Sequence, residues 1–136
     1  MIKPIEKNKL FLRMRAQEAT PADLACAQDL ADTLAAHAGE CVGMAANMIG
    51  VPKRIIAFYE GEEIRVMFNP EIVARAGEYE AQEGCLSLEG TRQAARFEHI
   101  TVRYQDAAFD TFEEGFAGWI AQIIQHEVDH TNGIVI

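Results

Sequence analysis

Two histidines and a glutamate near residue 130 have the spacing of a hydrolytic metal site. His126, Glu127 and His130 form the motif H-E-x-x-H. Residues four apart lie on one face of a helix, so both imidazoles can hold one metal ion. The same motif also arises by chance on the polar last turn of an amphipathic helix. The metal site is favoured here because Trp119 and Ile123 continue the histidine face as an apolar stripe.

A hydrolytic metal site needs a third protein ligand. In one protease pattern a third histidine lies six residues after the second, and that position here is Ile136. The third ligand is therefore expected upstream, and Cys85 in "EGCLS" is the best candidate. A thiolate with two imidazoles is an established metal set that leaves one position for water. Taken alone, Cys85 could equally be a small buried apolar residue.

The bulk composition predicts one globular domain spanning residues 1–136, with 49% hydrophobic and 24% charged residues. A net charge of -9 without a basic patch argues against nucleic-acid binding. No apolar run near the first residue is long enough for a signal peptide or a membrane span, so we expect a cytoplasmic protein. Three cysteines without tight spacing argue against a disulfide framework.

The elements that must position the motif are predicted to be two helices around several antiparallel strands, an α+β domain. The first helix is predicted over residues 19–40, with Thr20 as its N-cap. A hairpin is predicted from strands 54–59 and 64–69, and Asn69-Pro70 is expected to end it. Two further β segments are predicted at 71–88 and 99–106. The second helix is predicted to begin at Gly115 or Phe116 and to end at Gly133.

Three stretches of the sequence resemble the motifs of the peptide deformylase family. Those motifs are G-φ-G-φ-A-A-x-Q, E-G-C-φ-S and Q-H-E-φ-D-H, where φ is apolar. The corresponding stretches are "CVGMAANM" at 41–48, "EGCLS" at 83–87 and "QHEVDH" at 125–130, and the last two match completely. The resemblance covers essentially the whole chain. It implies an α+β, peptide deformylase-like fold with antiparallel sheets around a central H-E-x-x-H helix.

The resemblance also implies a reaction and residue roles. The reaction is removal of the N-formyl group from formyl-methionine of nascent bacterial polypeptides, with release of formate. Cys85, His126 and His130 correspond to the family's metal ligands. Glu127 corresponds to its general acid and base, and the backbone N–H of Leu86 to a donor for the formyl oxygen. The substrate-binding residues implied are Val42, Gly43, Arg92, Trp119 and Ile123.

The cofactor implied is one divalent metal, with Fe(II) first and zinc, nickel or cobalt as alternatives. The partner implied is the N-formyl-methionyl end of nascent peptides, near the ribosome, without direct nucleic-acid or membrane binding. The glutamate of the second motif, Glu83, is expected to pair with a cation, and Arg96 is our candidate for that cation.

Two positions depart from the first motif: Cys41 replaces its first glycine and Met48 its glutamine. The family glutamine donates an N–H to the developing oxyanion, which a thioether cannot do. The neighbouring Asn47 is expected to point to the opposite face. Two other functions therefore stay open. One is a catalytically weak or inactive deformylase-like protein that binds metal or formyl-peptide. The less favoured one is a metallopeptidase, which would normally show a third histidine or glutamate downstream.

Overall fold

The computed structural model of the protein describes residues 1–134, and within them five strands form one antiparallel sheet in the order β1-β2-β3-β4-β5. The strands are β1 (Gly43–Ala45), β2 (Ile55–Glu60), β3 (Glu63–Cys85), β4 (Leu88–Gln105) and β5 (Thr111–Ala117). The α-helices are α1 (Lys9–Leu12), α2 (Leu24–Ala36) and α3 (Gly118–Thr131), and 3-10 turns span Pro21–Asp23 and Ala46–Ile49. The α+β prediction is confirmed. None of the described helices is long and apolar enough to cross a membrane.

The sheet lies between α2 and α3, as the alternation of side chains along β2 shows. Ile55 packs in an apolar cluster with residues of α2, including Leu30. The next residue, Ile56, packs in a second cluster with residues of α3, including Ile124. Because α3 is covered by the sheet, the side chains of its H-E-x-x-H motif are buried.

The predicted hairpin of β2 and β3 is confirmed, but Asn69-Pro70 does not end its second strand. β3 continues to Cys85, with an irregular register between Phe68 and Glu71. Asn69 has a φ of 53°, which asparagine tolerates better than most residues. Its side-chain oxygen accepts the Ala19 N–H at 2.7 Å. The Asn69-Pro70 pair in the sequence therefore marks a β-bulge within β3 rather than the end of the strand.

Helix boundaries also differ from the sequence prediction. The capping residue Thr20 is confirmed, since its backbone N–H donates to Asp23 at 2.8 Å, but a 3-10 turn precedes the α-helix. The second predicted helix begins at Gly118, not at Gly115 or Phe116. Those two residues belong to β5 and pair with β4. Hydrogen bonds to the adjacent strand β4 outweigh the local helical pattern there.

The turn of the β3–β4 hairpin lies next to the part of α3 that carries the H-E-x-x-H motif. Cys85 closes this hairpin opposite Leu88, with Leu86 and Ser87 as the turn between them. The hairpin therefore places Cys85 next to the histidines of α3, although they are more than forty residues apart in the sequence.

Candidate active site

Three side chains from two separate elements meet at one point. His126 and His130 come from α3 and Cys85 from the end of β3, and their ligand atoms all lie within 4.8 Å of one another. The two Nε2 atoms face each other at 3.0 Å. The three residues expected to hold a metal are thus brought together, with both imidazoles buried.

The charge preferences of this group fit a divalent cation. Burial, together with the positive charges of His126 and Arg96, lowers the pKa of His130 to about 3, so its imidazole is neutral, as a metal ligand must be. Burial also lowers the pKa of His126, but hydrogen bonds to Cys85 and Glu83 raise it overall to about 10. The surroundings therefore favour a positive charge beside Cys85. A metal ion can supply that charge in place of the proton.

A buried carboxylate orients the first histidine. His126 Nδ1 donates to Glu83 Oε1 at 2.7 Å, which leaves Nε2 facing His130. Arg96 donates to the same carboxylate, at 2.7 Å from Nη2, so the predicted Glu83–Arg96 pair is confirmed. Burial raises the pKa of Glu83, but the hydrogen bonds from His126 and Arg96 outweigh it and set the pKa to about 2. Such a carboxylate fixes the tautomer of a metal-ligating histidine.

Two further residues of α3 complete this network, and the sequence analysis missed both. Gln122 Nε2 donates to Glu83 Oε2 at 3.0 Å. Asp129 Oδ2 accepts from Arg96 Nη1 at 2.7 Å. The available signal was helical spacing, since Gln122 lies four residues before His126 and Asp129 three residues after it.

Glu127 lies beside the metal group in a setting suited to proton transfer. Burial, reinforced by the negative charges of Glu83 and Asp129, raises its pKa to about 7. Among the described residues, its Oε1 atom has no hydrogen-bond partner. A carboxyl group whose pKa lies near neutral pH can both accept and return a proton.

Gly43 allows β1 to approach this carboxylate closely. A Cβ at that position would lie 3.0 Å from Glu127 Oε2 and 2.8 Å from Ile123 Cγ2. The second distance is shorter than real Cβ contacts, so any side chain would have to displace Ile123. The backbone of Gly43 therefore lies directly against the Glu127 side chain.

An apolar cleft of about 180 Å³ opens next to His126. Three of the predicted substrate-binding residues, Val42, Trp119 and Ile123, line it. Trp119 is 63% exposed and Val42 40% exposed, whereas Ile123 is buried. The cleft is therefore lined both by exposed side chains, Trp119 and Val42, and by the buried Ile123.

The two remaining predicted residues lie along the β3–β4 hairpin. Leu86 directly follows Cys85 in the turn, and the next backbone N–H, that of Ser87, donates to Cys85 Sγ at 3.4 Å. Arg92 lies opposite Glu83 in the register of β3 and β4, and it is not among the residues that line the cleft. Arg92 Nη1 has no hydrogen-bond partner in the part of the chain that the structure describes.

The departures from the first motif both lie near Cys85. Met48 is 2% exposed, and its Sδ lies 4.0 Å from Cys85 Sγ. Asn47 Nδ2 donates to the backbone oxygen of His130 at 2.9 Å, so this amide is not available as a replacement oxyanion donor. Burial, with the charges of Glu127 and Cys85, raises the pKa of Cys41 to about 12. Cys41 is therefore a protonated thiol beside the site.

Comparison with known proteins identifies one family of similar sequences. The sequence model for polypeptide deformylase matches residues 2–136. The peptide deformylase of Clostridium beijerinckii is 51% identical over 136 residues, covering 100% of both chains. That of Carboxydothermus hydrogenoformans is 38% identical over 120 residues, covering 88% of this chain and 78% of that protein.

Solved structures show the same fold. The peptide deformylase from Thermotoga maritima superposes with a TM-score of 0.89 at 29% identity, covering 99% of this chain and 95% of that one. The class I type b peptide deformylase from Acinetobacter baumannii with Met-Ala-Ser bound gives a TM-score of 0.85 at 32% identity, covering 99% and 97%. From the full-length sequence match and the shared fold, we conclude that the chain belongs to the peptide deformylase family.

Proposed function

We propose that this chain is a metal-dependent hydrolase that removes the formyl group from the formyl-methionyl end of nascent bacterial polypeptides and releases formate. The observation that carries the proposal is the meeting of Cys85, His126 and His130 beside the buried Glu127, next to an apolar cleft that His126 helps to line. Family membership supports the same reaction.

Each residue near the site has a role in this reaction. Cys85, His126 and His130 would hold one divalent metal, which when bound polarises the formyl group and lowers the pKa of water. Glu127 accepts the proton of the attacking water and returns it to the departing amine. The Leu86 N–H donates to the oxyanion that develops on the formyl oxygen.

We propose Fe(II) as the native metal. Zinc, nickel and cobalt are alternatives, because a set of one thiolate and two imidazoles suits all of these borderline cations. Glu83 keeps His126 oriented whichever of them is bound, since its contact is to the ring nitrogen that faces away from His130.

The substrate binds with its methionine side chain in the cleft formed by Val42, Trp119 and Ile123. Gly43 aligns the peptide backbone from the edge strand β1, where there is no side chain to obstruct it. Arg92, whose Nη2 donates to the backbone oxygen of Glu89 at 3.1 Å, would meet a carbonyl or carboxylate further along the peptide. The natural substrates are nascent chains near the ribosome.

A second candidate function follows from Met48. If the missing amide donor is essential, the chain binds metal and formyl-peptide with little or no turnover. Its basis is that the buried Met48 sulfur cannot donate a hydrogen bond, and that the Asn47 amide is already bonded to His130.

One assay separates these functions from a metallopeptidase. Iron-loaded protein is incubated without oxygen with formyl-Met-Ala-Ser and, separately, with a longer unformylated peptide. Formate release from the first substrate alone is expected. Binding of formyl-peptide without formate release supports the second candidate, and cleavage of internal bonds in the unformylated peptide contradicts both. Glu127→Gln protein serves as the control for released formate.

A further inference from the structure

A second sulfur atom lies next to the proposed metal ligand Cys85. Met48 sits in the 3-10 turn Ala46–Ile49, directly after β1. Its Sδ is 4.0 Å from Cys85 Sγ, a sulfur that is itself within 4.8 Å of ligand atoms of both histidines. The Met48 side chain is buried, so it cannot turn out into solvent.

The separation of the two sulfurs is short enough for both to reach one ion. Two sulfur ligands of one tetrahedral ion, each about 2.3 Å from it, lie roughly 3.8 Å apart. The observed 4.0 Å between Met48 Sδ and Cys85 Sγ is close to that separation. One cysteine and two histidines with a long, weak methionine ligand form a recognised set for thiophilic metals.

The Met48 sulfur is also held with a lone pair available on the side of Cys85. The Ala45 N–H approaches Sδ at 3.5 Å, and the Cys85 thiol approaches it at 4.0 Å, so each takes one of the two lone pairs. The lone pair of Met48 that faces Cys85 is therefore the one that a metal ion held by Cys85 would meet.

We propose that Met48 is an additional, weak ligand of the metal held by Cys85, His126 and His130, and that its thioether biases the site toward thiophilic cations. This inference rests on the metal set of the proposed function. It gives Met48 a role that a glutamine at the same position, whose amide has no sulfur, does not have. Cd(II) is a suitable thiophilic probe, and Zn(II) is the reference.

X-ray absorption of the Cd(II)-loaded protein counts the sulfur neighbours of the metal. Two sulfurs are expected in the wild type and one in Met48→Leu and in Met48→Gln. Two variants are used because leucine preserves the apolar packing and glutamine is the residue of the family motif at this position. Met44→Leu is the matched control: Met44 is buried in the same apolar cluster, and on β1 it points to the side opposite Gly43. It should keep two sulfurs.

Competitive titration gives a second readout. Both Met48 variants should lose Cd(II) affinity relative to Zn(II) on the order of tenfold, the lower end of what groups around a metal contribute. One sulfur in the wild type, with an unchanged Cd(II)/Zn(II) ratio in the variants, would overturn the role of Met48 and leave the Cys-His-His set intact. No sulfur neighbour in the wild type would instead overturn Cys85 as a ligand, and with it the proposed metal site.

Discussion

Glu127 shows at the scale of a single residue how burial can shift the pKa of a carboxyl group toward neutral pH, as the proposed proton transfer requires. In water a glutamate is ionised near pH 7 and is a weak base. Here burial raises its pKa to about 7, and within the described chain its Oε1 atom is left without a partner. The same burial that makes the carboxylate costly to ionise brings its pKa into the range needed to exchange protons with the water and the departing amine of the proposed reaction.

Replacing Glu127 by glutamine should remove turnover but keep the metal. The amide preserves the shape of the side chain and cannot accept the proton, so we expect kcat to fall by at least about 10²–10⁴-fold. Formate release and elemental analysis measure the two effects. Loss of metal, or retention of most activity, would show that Glu127 has a different role.

The Met48→Gln variant tests the missing oxyanion donor. One such donor is worth about 10²–10³ in kcat, so restoring it should raise kcat more than it lowers KM. Met48→Leu is the control, because leucine restores no donor and should give no gain. An unchanged or lower kcat for Met48→Gln with the same metal bound would mean that Met48 is already compensated.

At the scale of elements, the site depends on β1 lying close to α3. Gly43 has no side chain to hold the two elements apart. A Cβ at this position would lie 2.8 Å from an Ile123 atom and 3.0 Å from a Glu127 atom. The β3–β4 hairpin adds Cys85 from the other direction, and the Glu83–Arg96 pair links that hairpin to His126. Three elements therefore fix one set of side chains.

Gly43→Ala should disturb catalysis more than folding. The added methyl would displace Ile123 and press on Glu127, and overpacking of this kind costs about 1–3 kcal/mol of stability. We expect a fall in kcat with metal content unchanged, measured by steady-state kinetics and elemental analysis. Gly115→Ala in β5 is the matched control for loss of a strand glycine, since Gly115 has no positive φ and a Cβ there meets only the Ile100 backbone oxygen, at 3.9 Å. Equal kcat in Gly43→Ala and the wild type would argue against close packing of β1 on Glu127.

The cleft between these elements predicts a preference for methionine. Burying a methionine side chain against Val42, Trp119 and Ile123 should favour formyl-Met over formyl-Gly peptides in kcat/KM by about 1.5–3 kcal/mol. Trp119→Ala should reduce that preference, whereas Phe112→Ala, which removes a similarly exposed aromatic ring on β5, should not. Equal kcat/KM for the two peptides would count against this cleft as the methionine pocket.

At the scale of the whole molecule, the sequence was informative where function depends on local spacing. The H-E-x-x-H helix, the β2–β3 hairpin and the Thr20 cap follow from short-range patterns, and the structure confirms them. The bulge at Asn69 and the start of α3 at Gly118 could not be predicted that way. Both depend on pairing with β4, which a short-range sequence pattern does not show.

The same distinction applies to the site. Cys85 could be proposed by elimination, because the motif lacked a downstream ligand, but its approach to His126 and His130 depends on the whole β3–β4 hairpin. Gln122 and Asp129 were missed because their contacts are to Glu83 and Arg96 on neighbouring strands. Helical spacing places both residues on the side of His126, but it does not show which residues of the neighbouring strands they contact.

The measurement that tests the proposed metal centre most directly is the metal content of Cys85→Ala. Protein reconstituted with Fe(II) without oxygen and freed of loose metal is examined by elemental analysis, with Cys26→Ala as the matched control for loss of a thiol outside the site. We predict stoichiometric metal in the wild type and in Cys26→Ala, and loss of tight binding in Cys85→Ala, because two imidazoles alone hold a metal weakly. Near-normal metal content in Cys85→Ala would contradict the proposed centre and place the third ligand elsewhere.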